Sequence, residues 1–120
     1  MSKQAQPPTT TGDSRTVWAS YDAQTNTFTG QGIDTIAPGQ TSGFYSVVLE
    51  QGFDNTPAVF VTVNDPLAAL SESALGSYYP SVKVPGAGGR TYQVALHIGT
   101  IGTGGPTTLA ASFSFLAIGN

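Results

Sequence analysis

An antiparallel β-sandwich of about six strands behind an extended arm is the fold this sequence predicts, on three observations. Short runs of Val, Ile, Phe, Tyr and Thr alternate apolar with polar side chains, the period of a half-buried strand. Clusters of Gly, Pro, Asn and Asp, the residues that make turns, separate those runs. Fifteen glycines, eight prolines and abundant Thr and Ser leave little of the chain suited to helix. Short strands at regular spacing with turn chemistry between them point to a sandwich.

The 120 residues are enough for one domain. A chain of this size buries roughly two thirds of its unfolded surface and needs no metal or disulfide staple. Cysteine is absent, so no bridge, thiolate nucleophile or Cys-based zinc site exists. Charged residues make up 9% of the chain, with seven acids against four bases. Lys3, Arg15, Lys83 and Arg90 are too few and too scattered to neutralise phosphates, so no nucleic-acid partner is expected. No apolar run approaches the ~20 residues that span a bilayer, so no membrane insertion is expected. MSKQAQPPTTTGDSR lacks the hydrophobic region of a secretory leader, and the mature chain is expected to start at or near Met1.

Residues 1–14 read as a low-complexity arm and 15–120 as the sandwich. Gln6, Pro7, Pro8 and Thr9 offer nothing to bury, and Pro7-Pro8 favours extended backbone. The arm reads as a floppy end or, in an assembly, as a latch on a neighbouring subunit, capsid or tail component. Thr16–Tyr21 alternates as a first strand, Asp22–Asn26 turns, and Thr27-Phe28-Thr29 continues briefly. Gly30, Gly32, Pro38 and Gly39 mark a long irregular connection carrying Ile33, Asp34 and Ile36. Gly43–Leu49 alternates again. Ala58–Val63 is the densest β-branched run, entered through Pro57; apolar on both faces, it reads as a central strand sharing one core with Leu109–Gly119.

Asn64–Gly76 reads as a loop with at most a helical turn. Tyr78–Val84 is a strand with Pro80 near its start, and Pro85–Gly89 turns the chain into Arg90–Ile98. There Tyr92, Val94, Leu96 and Ile98 point inward; Thr91, Gln93, Ala95 and His97 point outward. Gly99–Pro106 is a flexible tip, and Thr108–Ile118 completes the core.

Catalytic and metal chemistry find little support. His97 is the single histidine, hence the one imidazole base, and no G-x-S-x-G elbow occurs. Gly99–Gly105 lacks the Lys-Ser/Thr of a phosphate loop. Glu50 and Asp54 flank a bend, as solvated loop acids do, and turn formation accounts for Asp54-Asn55 and Asn64-Asp65 as well as calcium binding would. The expectation is a protein without enzymatic activity, metal or cofactor.

From about Gly30 to Gly119 the chain resembles the H-type lectins. The resemblance rests on Gly30-Gln-Gly-Ile-Asp34, on Val48–Val63 and on Thr91–Gly119, with Tyr92 early and Phe113–Ile118 last. It implies a trimeric β-sandwich binding galactose-type sugars, with Asp34 accepting sugar hydroxyls and Lys83 standing where the family often has an arginine. The family's aromatic–histidine pair would fall at Gly99 and Thr100, which do not match; His97, Tyr92 or Trp18 would have to substitute. Two functions are therefore expected. One is a structural and adhesive virion subunit (capsid decoration, tail or fibre) that contacts copies of itself, other virion proteins and cell-surface glycans at the virion surface. The other is a free-standing trimeric lectin, using Asp34, Lys83 and His97.

Overall fold

A computed structural model describes residues 14–66, 78–98 and 107–120. The described chain is all-β, two antiparallel sheets packed face to face. The first sheet, A, has the order β2-β1-β9-β5, from β1 (Arg15–Asp22), β2 (Thr27–Gln31), β5 (Ala58–Pro66) and β9 (Ala111–Gly119). The second, B, has the order β3-β4-β7-β6, from β3 (Ile33–Pro38), β4 (Phe44–Leu49), β6 (Tyr78–Lys83) and β7 (Thr91–Ile98), with the short β8 (Thr107–Thr108) paired to the end of β7. The sandwich predicted from the alternation is the fold observed.

Three elements exceed the expected six strands: β2, β3 and the two-residue β8. Residues 27–31 form a full partner of β1, with Trp18 opposite Gln31 and Asp22 opposite Thr27. The stretch read as an irregular connection contains β3, which pairs with β4 across a register shift between Ile33 and Thr35. That bulge interrupts the alternation and hides the strand in the sequence. Gly32, at φ +79°, carries the chain from sheet A to sheet B; a Cβ there would stand 2.9 Å from Val17 Cγ2.

The position of β5 corrects the reading of Ala58–Val63 as a central strand. Among the described residues it is an edge strand, paired only with β9, and Phe60 on its outer face is 56% exposed. Apolar residues on both faces signalled an uncovered surface, not double burial. The strand between β1 and β5 is β9, whose Phe113, Phe115 and Ala117 are buried and face Tyr21, Ala19 and Val17 across the ladder. The loop read over Asn64–Gly76 is corrected at its start, where residues 64–66 continue β5 past a register shift between Val63 and Asp65; its remainder lies outside the described residues, as do residues 1–13, with the arm positions Gln6, Pro7, Pro8 and Thr9, and the tip in 99–106.

The core fills from the inward alternate positions: Val17, Ala19 and Tyr21 of β1 and Phe113, Phe115 and Ala117 of β9 meet Tyr45, Val47 and Leu49 of β4 and Tyr92, Val94 and Leu96 of β7. Fully burying a side chain such as Phe113 or Leu49 contributes about 1.5–3 kcal/mol. Tyr21, Tyr45 and Phe113 pack as a tilted trio with centroids 5.1 to 5.2 Å apart, the geometry ring quadrupoles favour. Tyr21 Oη donates to Asn26 Oδ1 at 2.7 Å, which satisfies its hydroxyl beside the β1–β2 turn.

Candidate binding face

The outer faces of the two sheets differ in chemistry. On sheet A, the ladder sets Gln31, Trp18, Leu116 and Phe60 in one row. Beside it lie Thr16, Ile118 and Ala58, then Thr29, Ser20, Ser114 and Thr62. Trp18 and Ile118 are each 41% exposed, and no charged side chain stands in the three rows.

On sheet B, a mostly apolar depression carries a few polar side chains. Ala95 is its floor, on the outer face of β7. Along β7 the same face presents Gln93 and His97, two residues to either side. Across the ladder, Phe44 of β4 and Ser81 of β6 both stand directly opposite Ala95. Lys83, opposite Gln93, closes a corner. The result is an open recess of about 290 Å³ lined by Phe44, Ser81, Lys83, Gln93, Ala95 and His97, with the Val82 and Val94 backbones contributing beneath. Any larger residue at 95 would fill it.

Hydrogen bonds fix the walls. Ser81 Oγ is 2.8 Å from His97 Nε2, and the imidazole lies against the ring of Tyr79 with centroids 5.0 Å apart and planes inclined by 19°. Ser46 Oγ donates to Gln93 Oε1 at 3.2 Å, which leaves the Gln93 amide hydrogens turned to the recess or solvent. Nucleophilic catalysis by Ser81 would call for a third group to orient His97. Among the described residues no carboxylate lines this recess, and the imidazole is held by Ser81 and Tyr79.

Of the residues singled out from the sequence, Lys83 and His97 come together at this recess and Asp34 does not. Asp34 lies on β3, at the opposite edge of sheet B from β6, and its Oδ2 accepts from Arg90 Nη2 at 3.1 Å. Arg90 Nε also donates to Leu49 O, so the pair ties β3 to the start of β7. Trp18 lies on the other sheet and Tyr92 is buried in the core, so neither reaches the recess. Sequence reasoning missed Phe44, Tyr79 and Ser81. Their outward orientation was legible from alternation, but the meeting of Phe44 and Ser81 over Ala95, and of Tyr79 with His97, depends on register.

Burial raises the pKa of four core-facing phenols, making them harder to ionise. Tyr78 is pushed up to about 12 by burial, assisted by neighbouring Tyr45, and its hydroxyl donates to the carbonyl of Leu109. Burial likewise raises Tyr21, Tyr45 and Tyr92. Among the described residues no three His, Asp or Glu side chains converge as metal ligands. Compared with protein families, with curated proteins and with solved structures, the chain matches none.

Proposed function

We propose that this chain is a non-enzymatic structural and adhesive subunit of a larger assembly, of the capsid-decoration, tail or fibre kind. Its outer sheet A face is the docking surface. The observation that carries the reading is the uncharged apolar row Trp18–Leu116–Phe60, flanked by Ile118. A contiguous exposed apolar patch on a sheet is characteristic of an interaction surface, and interface cores are depleted in charge and enriched in aromatics.

The sheet edges support contact through faces. Pro57 precedes β5 and Pro66 ends it, Pro38 ends β3, and Pro80 lies within β6. Proline and Lys83 on edges discourage strand-to-strand addition. A closed ring of copies, with a trimer as the expectation, would cover the row without leaving open edges. Sedimentation of the full chain tests this: the wild type should run as an oligomer and Trp18→Ser/Phe60→Ser as a folded monomer. A monomeric wild type at every concentration ends the reading. Deleting residues 1–14 should abolish incorporation into a particle.

The second reading, a free-standing lectin, is favoured by the recess on sheet B, with the exposed Phe44 ring in its lining and the Tyr79 ring stacked on its His97. Loss of all glycan binding would remove it and leave the docking face untouched.

A further inference from the structure

We infer that the depression over Ala95 is a site for a carboxylated sugar, a uronate or a sialate, and that Lys83 is its anion-binding residue. This inference is independent of the role given to sheet A.

The lining has an unusual charge for this chain. The protein carries a net charge of −3, with seven acids and four bases. Yet among the described residues the side chains around Ala95 include Lys83 and His97 and no Asp or Glu. Lys83 makes no ion pair among the described residues; the ion pair found there is Arg90–Asp34, on the far strand. A cation with no carboxylate partner among the described residues, at the rim of a recess, is suited to a ligand that brings its own carboxylate.

The remaining walls specify a sugar more than another carboxylate. Phe44 is 40% exposed beside the recess, and Tyr79, 44% exposed, backs the imidazole of His97. Exposed rings offer an apolar platform for the C–H face of a pyranose. Gln93 amide hydrogens, the Ser81 hydroxyl and the imidazole offer donors and acceptors for ring hydroxyls. A volume of about 290 Å³ is at the small end of ligand sites, as a single ring requires. Gln93 and His97 stand four residues apart on one strand, roughly 13 Å between Cα atoms, so the ring lies along β7 with its carboxylate at the Lys83 corner.

The test compares galacturonate with galactose, which differ in the carboxylate at C6, by amide chemical-shift titration of the full chain. Galacturonate should perturb the amides of residues 81–83 and 93–97 and bind about tenfold more tightly than galactose, the worth of one charge-assisted contact. Lys83→Gln, an exposed substitution that should preserve folding, should erase that difference. Ala95→Leu should block the recess and reduce both sugars; Phe44→Ala should weaken both while keeping the preference for the acid. N-acetylneuraminate in place of galacturonate distinguishes a sialate from a uronate source. Equal affinity for the acid and the neutral sugar, or shifts mapping away from β6 and β7, would overturn the assignment, as would no binding of either acid by a folded wild type.

Discussion

The guanidinium carbon of Arg15 lies 4.2 Å from the centre of the Phe53 ring, while Arg15 Nη2 donates to the carbonyls of Gln51 at 2.8 Å and Gly52 at 2.6 Å. One side chain at the start of β1 thus holds the loop that plugs the end of the sandwich, where Phe53 is buried. Arg15→Ala removes a cation–π contact and two charge-assisted bonds and is expected to cost about 1–3 kcal/mol in urea unfolding. Arg15→Lys should recover only part, because an ammonium lacks the planar fork.

The same loop depends on a missing side chain. A Cβ on Gly52 would stand 2.3 Å from the carbonyl oxygen of Gly88, so Gly52→Ala must push away the 85–89 turn and strain the bond from Gly88 N to Phe53 O. A loss of about 1–3 kcal/mol is expected, as for other overpacked sites, read from the urea midpoint. Gly86→Ala, with no neighbour within 4 Å of its Cβ, is the control and should be close to neutral.

Alkaline titration should be biphasic. The Tyr78 phenol is raised to about 12 in the folded protein against about 10 in the unfolded chain. The unfolded state therefore gives up its proton first. The stability this group contributes is whole below pH 10 and is lost as pH rises from there through about 12, with Tyr21, Tyr45 and Tyr92 shifted in the same direction. Absorbance at the phenolate band should show a late step that coincides with unfolding, and Tyr78→Phe should remove part of it.

Asp34→Asn should leave sugar binding unchanged. The carboxylate is occupied by Arg90 at the far edge of sheet B, and both side chains are about half exposed, so its removal should cost less than about 1 kcal/mol, and less still at high salt. A large loss of glycan affinity in this variant would restore the role the lectin resemblance implies for Asp34.

Phe60→Glu should change association and not folding. The ring is on an edge strand and more than half exposed, so monomer stability should move by no more than about 0.5 kcal/mol. Self-association measured by sedimentation should be lost, since a carboxylate would be buried without a partner.

Alternation carried most of the fold: the inward set Tyr92, Val94, Leu96 and Ile98 is buried as the pattern predicts. It failed where a local rule was broken. The shift between Ile33 and Thr35 concealed β3, and Ala58–Val63 is apolar on its outer face without being covered. Site residues were less legible. Lys83 and His97 converge because β6 and β7 pair in one register, whereas Asp34 is separated from them by the order of strands. Strand order is a long-range property that no local pattern carries.

The placement of β9 has a kinetic consequence. The last strand in chain order lies between β1 and β5, pairing Arg15 with Gly119 and Ala58 with Ile118. Until it arrives, β1–β2 is a lone hairpin and β5 has no partner in its sheet, so half of the sandwich must wait for a loop closure spanning most of the chain. Refolding should accordingly be slow for a domain of this length, in the millisecond-to-second range of non-local β topologies. During that wait the β9-facing edge of β1 and the whole of β5 are unpaired, open strand edges of the kind that invite intermolecular pairing.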